Sequence, residues 1–194
     1  MSNTKTICDK ENIMLTRDKY SKLFKISFDI KNNRINLPDI CTFSLWDLIY
    51  KLNENIIDGK PVVNITDNEM DILLVYKNIA NDYIKFSRYS YATITRTETE
   101  KQIVFSSTPC NKTDLISEII KDDKYKRVDY DDDVFIINII DNHHINIEKT
   151  FNIDLEQENL PIFVETFLAK QIKKILSNLK VFIENVDMNK LNDS

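Results

Sequence analysis

An α+β fold, an antiparallel sheet with one short helix in the N-terminal half and a long helix at the C-terminus, is predicted by three features of this 194-residue chain. Residues Leu23–Ile30 alternate apolar and polar side chains, the period of a strand with one wet face. Between residues 62 and 105, β-branched and aromatic segments follow one another across short polar turns, a spacing that favours antiparallel pairing. From Phe163 to Val186 the apolar residues instead recur at helical spacing.

In chain order, Phe24, Ile26, Phe28 and Ile30 line one face of the first clear strand. Lys31 to Arg34 supply turn residues, and Ile35–Leu37 is expected to return as a short partner strand. A helix over 45–57 follows. Ser44 and Asp47 have capping-box spacing, Phe43 can staple to Leu48, and Gly59 then Pro61 stand where a helix ends. Trp46, in its first turn, is expected to anchor the helix on the sheet. Strands are predicted at 62–65, 72–76, 83–91, 92–96 and 103–105. A short helix begins near Asp114, and a hairpin joins the strand 134–140 to 145–147 through Asp141 to His144. Residues 150–159 form a polar connection, and Pro161 opens the C-terminal helix; about 25 residues would reach roughly 37 Å. The helix over 45–57 should cover one face of the sheet, with the C-terminal helix beside it or paired with another copy as a homodimer. Residues 1–194 are read as a single domain with 1–20 and 189–194 flexible.

Composition excludes a good deal of chemistry. A single glycine, Gly59, leaves no GxGxxG, GxxxxGK[ST] or GxSxG sequence, so phosphate-cradling loops and nucleophile elbows are ruled out. Cys8, Cys41 and Cys110 are odd in number and lack CxxC spacing, which reads as buried thiols in a reducing compartment. No signal peptide or membrane-spanning run is present in this sequence, and a cytoplasmic location is expected. An apolar fraction of 42% against 29% charged residues is that of an ordered globular protein.

Few residues suggest catalysis. His143 and His144 are adjacent and would face opposite sides of a strand, a poor arrangement for sharing one metal. Asp131 and Asp133 could share a face and attract a hard cation, but no glycine supplies an EF-hand turn. Glu98 and Glu100 lack a companion for acid–base work. Cys110 stands near a helix start, where a dipole could activate a thiol, with no histidine placed beside it. No cofactor is expected. Tyr83, Lys85, Arg88, Tyr89, Tyr91 and Arg96 mix aromatic and basic groups, yet the net charge of −5 argues against nucleic acid.

Charge is unevenly distributed. Residues 1–36 carry eight Lys or Arg against four Asp or Glu, whereas residues 114–158 carry thirteen acidic against five basic side chains. The cluster Asp129, Tyr130, Asp131, Asp132 and Asp133 is therefore the expected contact surface for a basic protein partner. Leu37–Lys60, LPDICTFSLWDLIYKLNENIIDGK, resembles bacterial polymorphic-toxin immunity proteins, in which an early hairpin leads through a Ser-Leu-Trp helix start into a β-rich middle. The resemblance covers about an eighth of the chain. It implies a non-catalytic cytosolic inhibitor that neutralises a basic toxin, usually a nuclease, with Asp129–Asp133 imitating a phosphate backbone. The alternatives are a virus- or mobile-element-encoded protein that binds a host factor, and a metal-dependent hydrolase using Asp131, Asp133 and His143.

Overall fold

The computed structural model describes residues 4–20, 23–58, 63–77, 87–111, 116, 120, 125–128, 133–152 and 162–187. The chain opens with a hairpin of β1 (Thr4–Lys10) and β2 (Ile13–Asp18), in the segment where the sequence reading places no element. Its turn residues Glu11 and Asn12 both adopt positive φ, 59° and 56°, the requirement of the turn that matches strand twist. Asparagine tolerates this region well and glutamate does not. The Glu11 carboxylate, however, accepts a 3.1 Å hydrogen bond from the Ser177 hydroxyl and lies 3.8 Å from the Lys173 ammonium, so the hairpin tip is tied to the C-terminal helix.

β3 (Phe24–Lys31) follows the expected alternation, with Phe24, Ile26, Phe28 and Ile30 buried and Lys25, Asp29 and Lys31 exposed. The partner strand expected at Ile35–Leu37 is not formed. Both edges of β3 are already taken, by β2 on one side and by β10 (His144–Phe151) on the other. Pro38 instead opens the one-turn helix α1 (Leu37–Ile40), where its fixed φ suits a first turn. Beyond β10 the sheet continues through β9 (Val134–Asp141), β7 (Gln102–Pro109), β6 (Ser87–Glu98), β5 (Glu69–Tyr76) and β4 (Val63–Ile65), all antiparallel. β8 (Tyr125–Arg127) adds a parallel pairing to the start of β6, completing a ten-stranded sheet in the order β1, β2, β3, β10, β9, β7, β6, β5, β4. Residues 87–98 form one strand, not the two expected to meet between Tyr91 and Ala92.

Helix α2 (Ser44–Leu52) is shorter than expected and starts differently. The Ser44–Asp47 capping box is absent. Thr42 does that work: its hydroxyl lies 2.5 Å from the Ser44 hydroxyl and accepts from the Ser44 amide at 3.3 Å, and its carbonyl accepts from the Leu45 amide. At the other end, Asn53 folds its amide back onto the Ile49 carbonyl at 2.8 Å. Ile57 then bridges to Tyr76 at the end of β5. Gly59 and Pro61 lie outside the described residues, as does most of the short helix expected from Asp114; Ile120 donates to the Ile116 carbonyl there.

The long helix α3 (Ile162–Asn185) forms as the apolar spacing predicts. Val164, Ala169, Leu176, Leu179 and Ile183 are buried, and α3 packs on β2, β3 and α2. Of the stripe read from sequence as a possible homodimer surface, Leu176, Leu179 and Ile183 are thus buried against the chain's own core, whereas Phe163, Phe167 and Phe182 are exposed. The C-terminal end of α3 is held closely. The Asn32 amide donates to the carbonyls of Ile183 (2.7 Å) and Val186 (2.9 Å), which a helix end leaves unpaired. Arg34 donates to the Glu184 carbonyl and lies 3.6 Å from the Asp187 carboxylate, while Lys180 spans the Asp29 carbonyl and Glu184. Near the N-terminal end, Arg17 meets Glu165 at 2.6 Å with both side chains mostly buried.

Candidate functional site

The face of the sheet beneath α2 and α3 carries the main core, and its middle is aromatic. Phe105 on β7 and Phe135 on β9 are register partners with ring centroids 6.3 Å apart. Trp46 descends onto both from α2, 5.5 Å from Phe105 and 5.4 Å from Phe135, and Phe43 reaches Phe105 at 5.8 Å. Towards the N-terminal end of α3, Phe24 and Phe151 stack at 5.6 Å. The anchoring role expected of Trp46 is what the structure shows, with one addition. Its indole Nε1 is buried and has no hydrogen-bond acceptor among the described residues. Tryptophan placed inside a protein usually finds a partner for that N–H, because a buried unsatisfied donor costs about 1–3 kcal/mol.

Polar groups line the same face where it continues along β5 and β6. Side chains alternate along a strand, so Tyr76, Arg88 and Ser90 share the face to which Met70, Ile72 and Ile94 contribute core. Arg88 and Ser90 are buried, 7% and 6% exposed, and the Ser90 and Tyr76 hydroxyls lie 3.3 Å apart. The opposite face of these strands holds a second cluster of Leu73, Val75, Tyr91 and Cys110, with Asp71 buried beside it. Asp71 accepts from the Thr93 hydroxyl at 2.7 Å, and the Cys110 thiol lies 3.9 Å from the same carboxylate.

The residues singled out from sequence are placed as follows. Asp129, Tyr130, Asp131 and Asp132 lie outside the described residues; Asp133 is ion-paired with Lys149 of β10. His143 and His144 diverge as their adjacency predicts. The His143 ring nitrogen bonds the carbonyls of Asn32 (3.2 Å) and Ile35 (2.9 Å), pinning the β3–α1 connection, while His144 faces Asp29 at 3.4 Å. Among the described residues no group of three or more His, Cys, Asp or Glu side chains converges as metal ligands. Glu98 pairs with Arg96. The aromatic and basic residues of β6 form no continuous surface, since Arg88 and Tyr91 are buried on opposite faces and Tyr89 packs on the second cluster. Arg88 and Ser90 were legible as alternating positions of a strand. Their burial was not, because β5 and β6 are covered on both sides and one strand's alternation cannot show that.

Two buried acids carry a pH dependence. Burial pushes the Cys41 thiol from 9.0 up to about 12, with Arg96 opposing and Glu98 reinforcing the change. Burial likewise pushes the Tyr91 hydroxyl from 10.0 up to about 12. Both folded-state values lie above the unfolded ones, so the unfolded chain releases these protons first. Their contribution to stability is complete below the unfolded values and is lost as pH rises towards 12. The urea midpoint is expected to fall between about pH 8 and about pH 10.5, and to fall less in Cys41→Ala, if this linkage operates. An unchanged midpoint in the parent chain would contradict it.

The sequence matches no protein-family model and no curated protein. Solved structures are informative. Human StAR-related lipid transfer protein 5 superposes with a TM-score of 0.69 over 94% of this chain and 87% of its own, at 11% identity. The lipid transfer and protein localization domain of human StarD13 (DLC2) gives 0.71 over 96% and 91%, at 13% identity. The fold is START-like. Human STARD10, at 0.64 over 91% of this chain and 72% of its own with 10% identity, has the same arrangement. A START-like fold overturns the likeness of Leu37–Lys60 to polymorphic-toxin immunity proteins. In this fold the segment forms α1 and α2, laid over a sheet built from strands on both sides of it in the chain. The toxin-inhibitor function and the basic protein partner are corrected with it, since the matching structures bear lipid-transfer names. The host-factor binder and the metal-dependent hydrolase fit the START-like fold no better, and His143 is occupied in holding a turn.

Proposed function

We propose that residues 1–194 form a single non-catalytic, cytosolic domain that binds a lipid, with the hydrocarbon held between α2, α3 and the sheet. The observation that carries this reading is the likeness of nearly the whole chain to structures named for lipid transfer. The side chains facing that layer suit such a ligand. Trp46, Phe105, Phe135, Phe24 and Phe151 offer apolar area, and Arg88, Ser90 and Tyr76 place polar groups on the same face. Among the described residues no helix is long and apolar enough to cross a membrane.

Trp46 is the only tryptophan in the sequence and lies in the proposed binding layer, which provides a direct test. A phospholipid brominated on its acyl chain quenches indole fluorescence only on close approach. Titration should quench Trp46 saturably at one equivalent of bound lipid, and unbrominated lipid should compete the quenching away. No quenching, or quenching that rises without saturation, would overturn the proposal.

A further inference from the structure

We infer that the outward side of α3 is a docking surface for a bilayer that carries anionic phospholipid. The inference goes beyond ligand binding and does not depend on it, because it concerns the side of the helix turned away from the sheet. Val164, Ala169, Leu176, Leu179 and Ile183 account for the buried side. The exposed side is nonetheless apolar as well: Phe163 is 54% exposed, Phe167 40%, Val181 56% and Phe182 40%. A helix that met only water there would carry polar side chains. At about 100° of turn per residue, Phe163, Phe167, Lys170, Lys174 and Val181 fall within about 60° of arc, so the two exposed lysines stand in line with the apolar residues.

Charge on this side is of one sign. Every exposed residue of α3 is apolar, a lysine or the amide Asn185. The two carboxylates of the helix are engaged elsewhere, Glu165 with Arg17 of β2 and Glu184 with Lys180 one turn before it. In a chain of net charge −5, a strip with lysines and no carboxylate is a local reversal. Such a strip matches the boundary between headgroups and acyl chains. Its rings can enter the apolar layer while the ammonium groups stay at the anionic headgroups. A second copy fits less well. The strip from Phe163 to Val181 has its midpoint at Ile172, so a two-fold contact between antiparallel helices would set Lys170 against the copy's Lys174 twice over, like charges in a closing apolar contact.

The test is co-sedimentation of the full chain with vesicles of phosphatidylcholine alone, and with vesicles in which about a third of the lipid is phosphatidylserine. The mixed vesicles should bind the chain about tenfold or more tightly, and added salt should weaken that binding. Lys170→Gln with Lys174→Gln should weaken binding to the mixed vesicles about 30-fold. Phe163→Ser with Phe167→Ser should weaken it about tenfold or more. Circular dichroism checks that each variant is folded. No preference for the mixed vesicles, or equal binding by the parent chain and the lysine variant, would overturn the docking surface. So would a dimer in sedimentation equilibrium that the phenylalanine variant abolishes, since the strip would then be an interface between copies. Should the phenylalanine variant fail to fold, the lysine variant and the two vesicle compositions still decide.

Discussion

Phe105→Ala is expected to destabilise the chain by about 3–5 kcal/mol, the range for removing a fully buried phenylalanine from a packed core. Phe105 is 2% exposed and joins three elements: it faces Phe135 across β7 and β9, receives Trp46 from α2 and receives Phe43 from the turn before α2. Truncation removes transfer free energy and leaves a space that three rigid rings cannot easily collapse to fill. Phe105→Leu keeps most of the volume and should cost clearly less. Urea unfolding followed by Trp46 fluorescence measures both, because the reporter rests on the substituted ring. A cost below about 1 kcal/mol for the alanine variant would mean that this cluster is not tightly packed.

Asn53→Ala should be the next most damaging change, at about 2–3 kcal/mol, although it deletes few atoms. Asn53 is fully buried at the junction of α2 and α3. Its amide donates to the Ile49 carbonyl at 2.8 Å and to the Ile175 carbonyl at 3.4 Å, and its side-chain oxygen accepts from Asn178 at 2.8 Å. Alanine would remove the donor to the part-buried Ile49 carbonyl near the end of α2, and the Asn178 amide would keep only its 3.4 Å contact with the Leu52 carbonyl. Asn178→Ala removes one partner and should cost about half as much. The double variant should cost less than the sum of the two, because the shared hydrogen bond can be lost only once. Additive costs would show that the two asparagines act independently.

How much of this was visible in the sequence depends on whether the determinants are local. Strand β3 was legible because its alternation is strict and one of its faces is wet, and α3 was legible because its apolar spacing persists through seven turns' worth of side chains, roughly. The hairpin of β9 and β10 was marked by the polar turn at Asp141 to His144. Three features were hidden for physical reasons. β1 and β2 carry short side-chain patterns, and Ile13 and Leu15 become core only because α3, some 150 residues later, lies on them. The lateral order, with β10 inserted between β3 and β9, is set by long-range pairing that leaves no mark on either strand. The start of α2 lies one residue before the expected position, and its first turn is held by Thr42 instead of Ser44, because Thr42, Ser44 and Asp47 are all capable caps and packing chose among them.

The candidate site was less visible than the fold. Trp46 was identified as an anchor, but its unmatched N–H depends on which atoms surround it once α2 has docked. Arg88 and Tyr91 looked like an exposed aromatic and basic surface until β5 and β6 proved to be covered on both faces. The acidic run at Asp129–Asp133 was conspicuous, and drew attention to charge when the more informative chemistry lay in apolar residues facing a helix-covered sheet.

Lipid occupancy of the chain purified without detergent tests the central claim most directly. Organic extraction followed by mass spectrometry should recover a lipid in proportion to protein, approaching one molecule per chain, and less from Phe105→Ala after correction for its folded fraction. Recovery of no lipid, together with failure of the purified chain to acquire any from vesicles, would contradict the account.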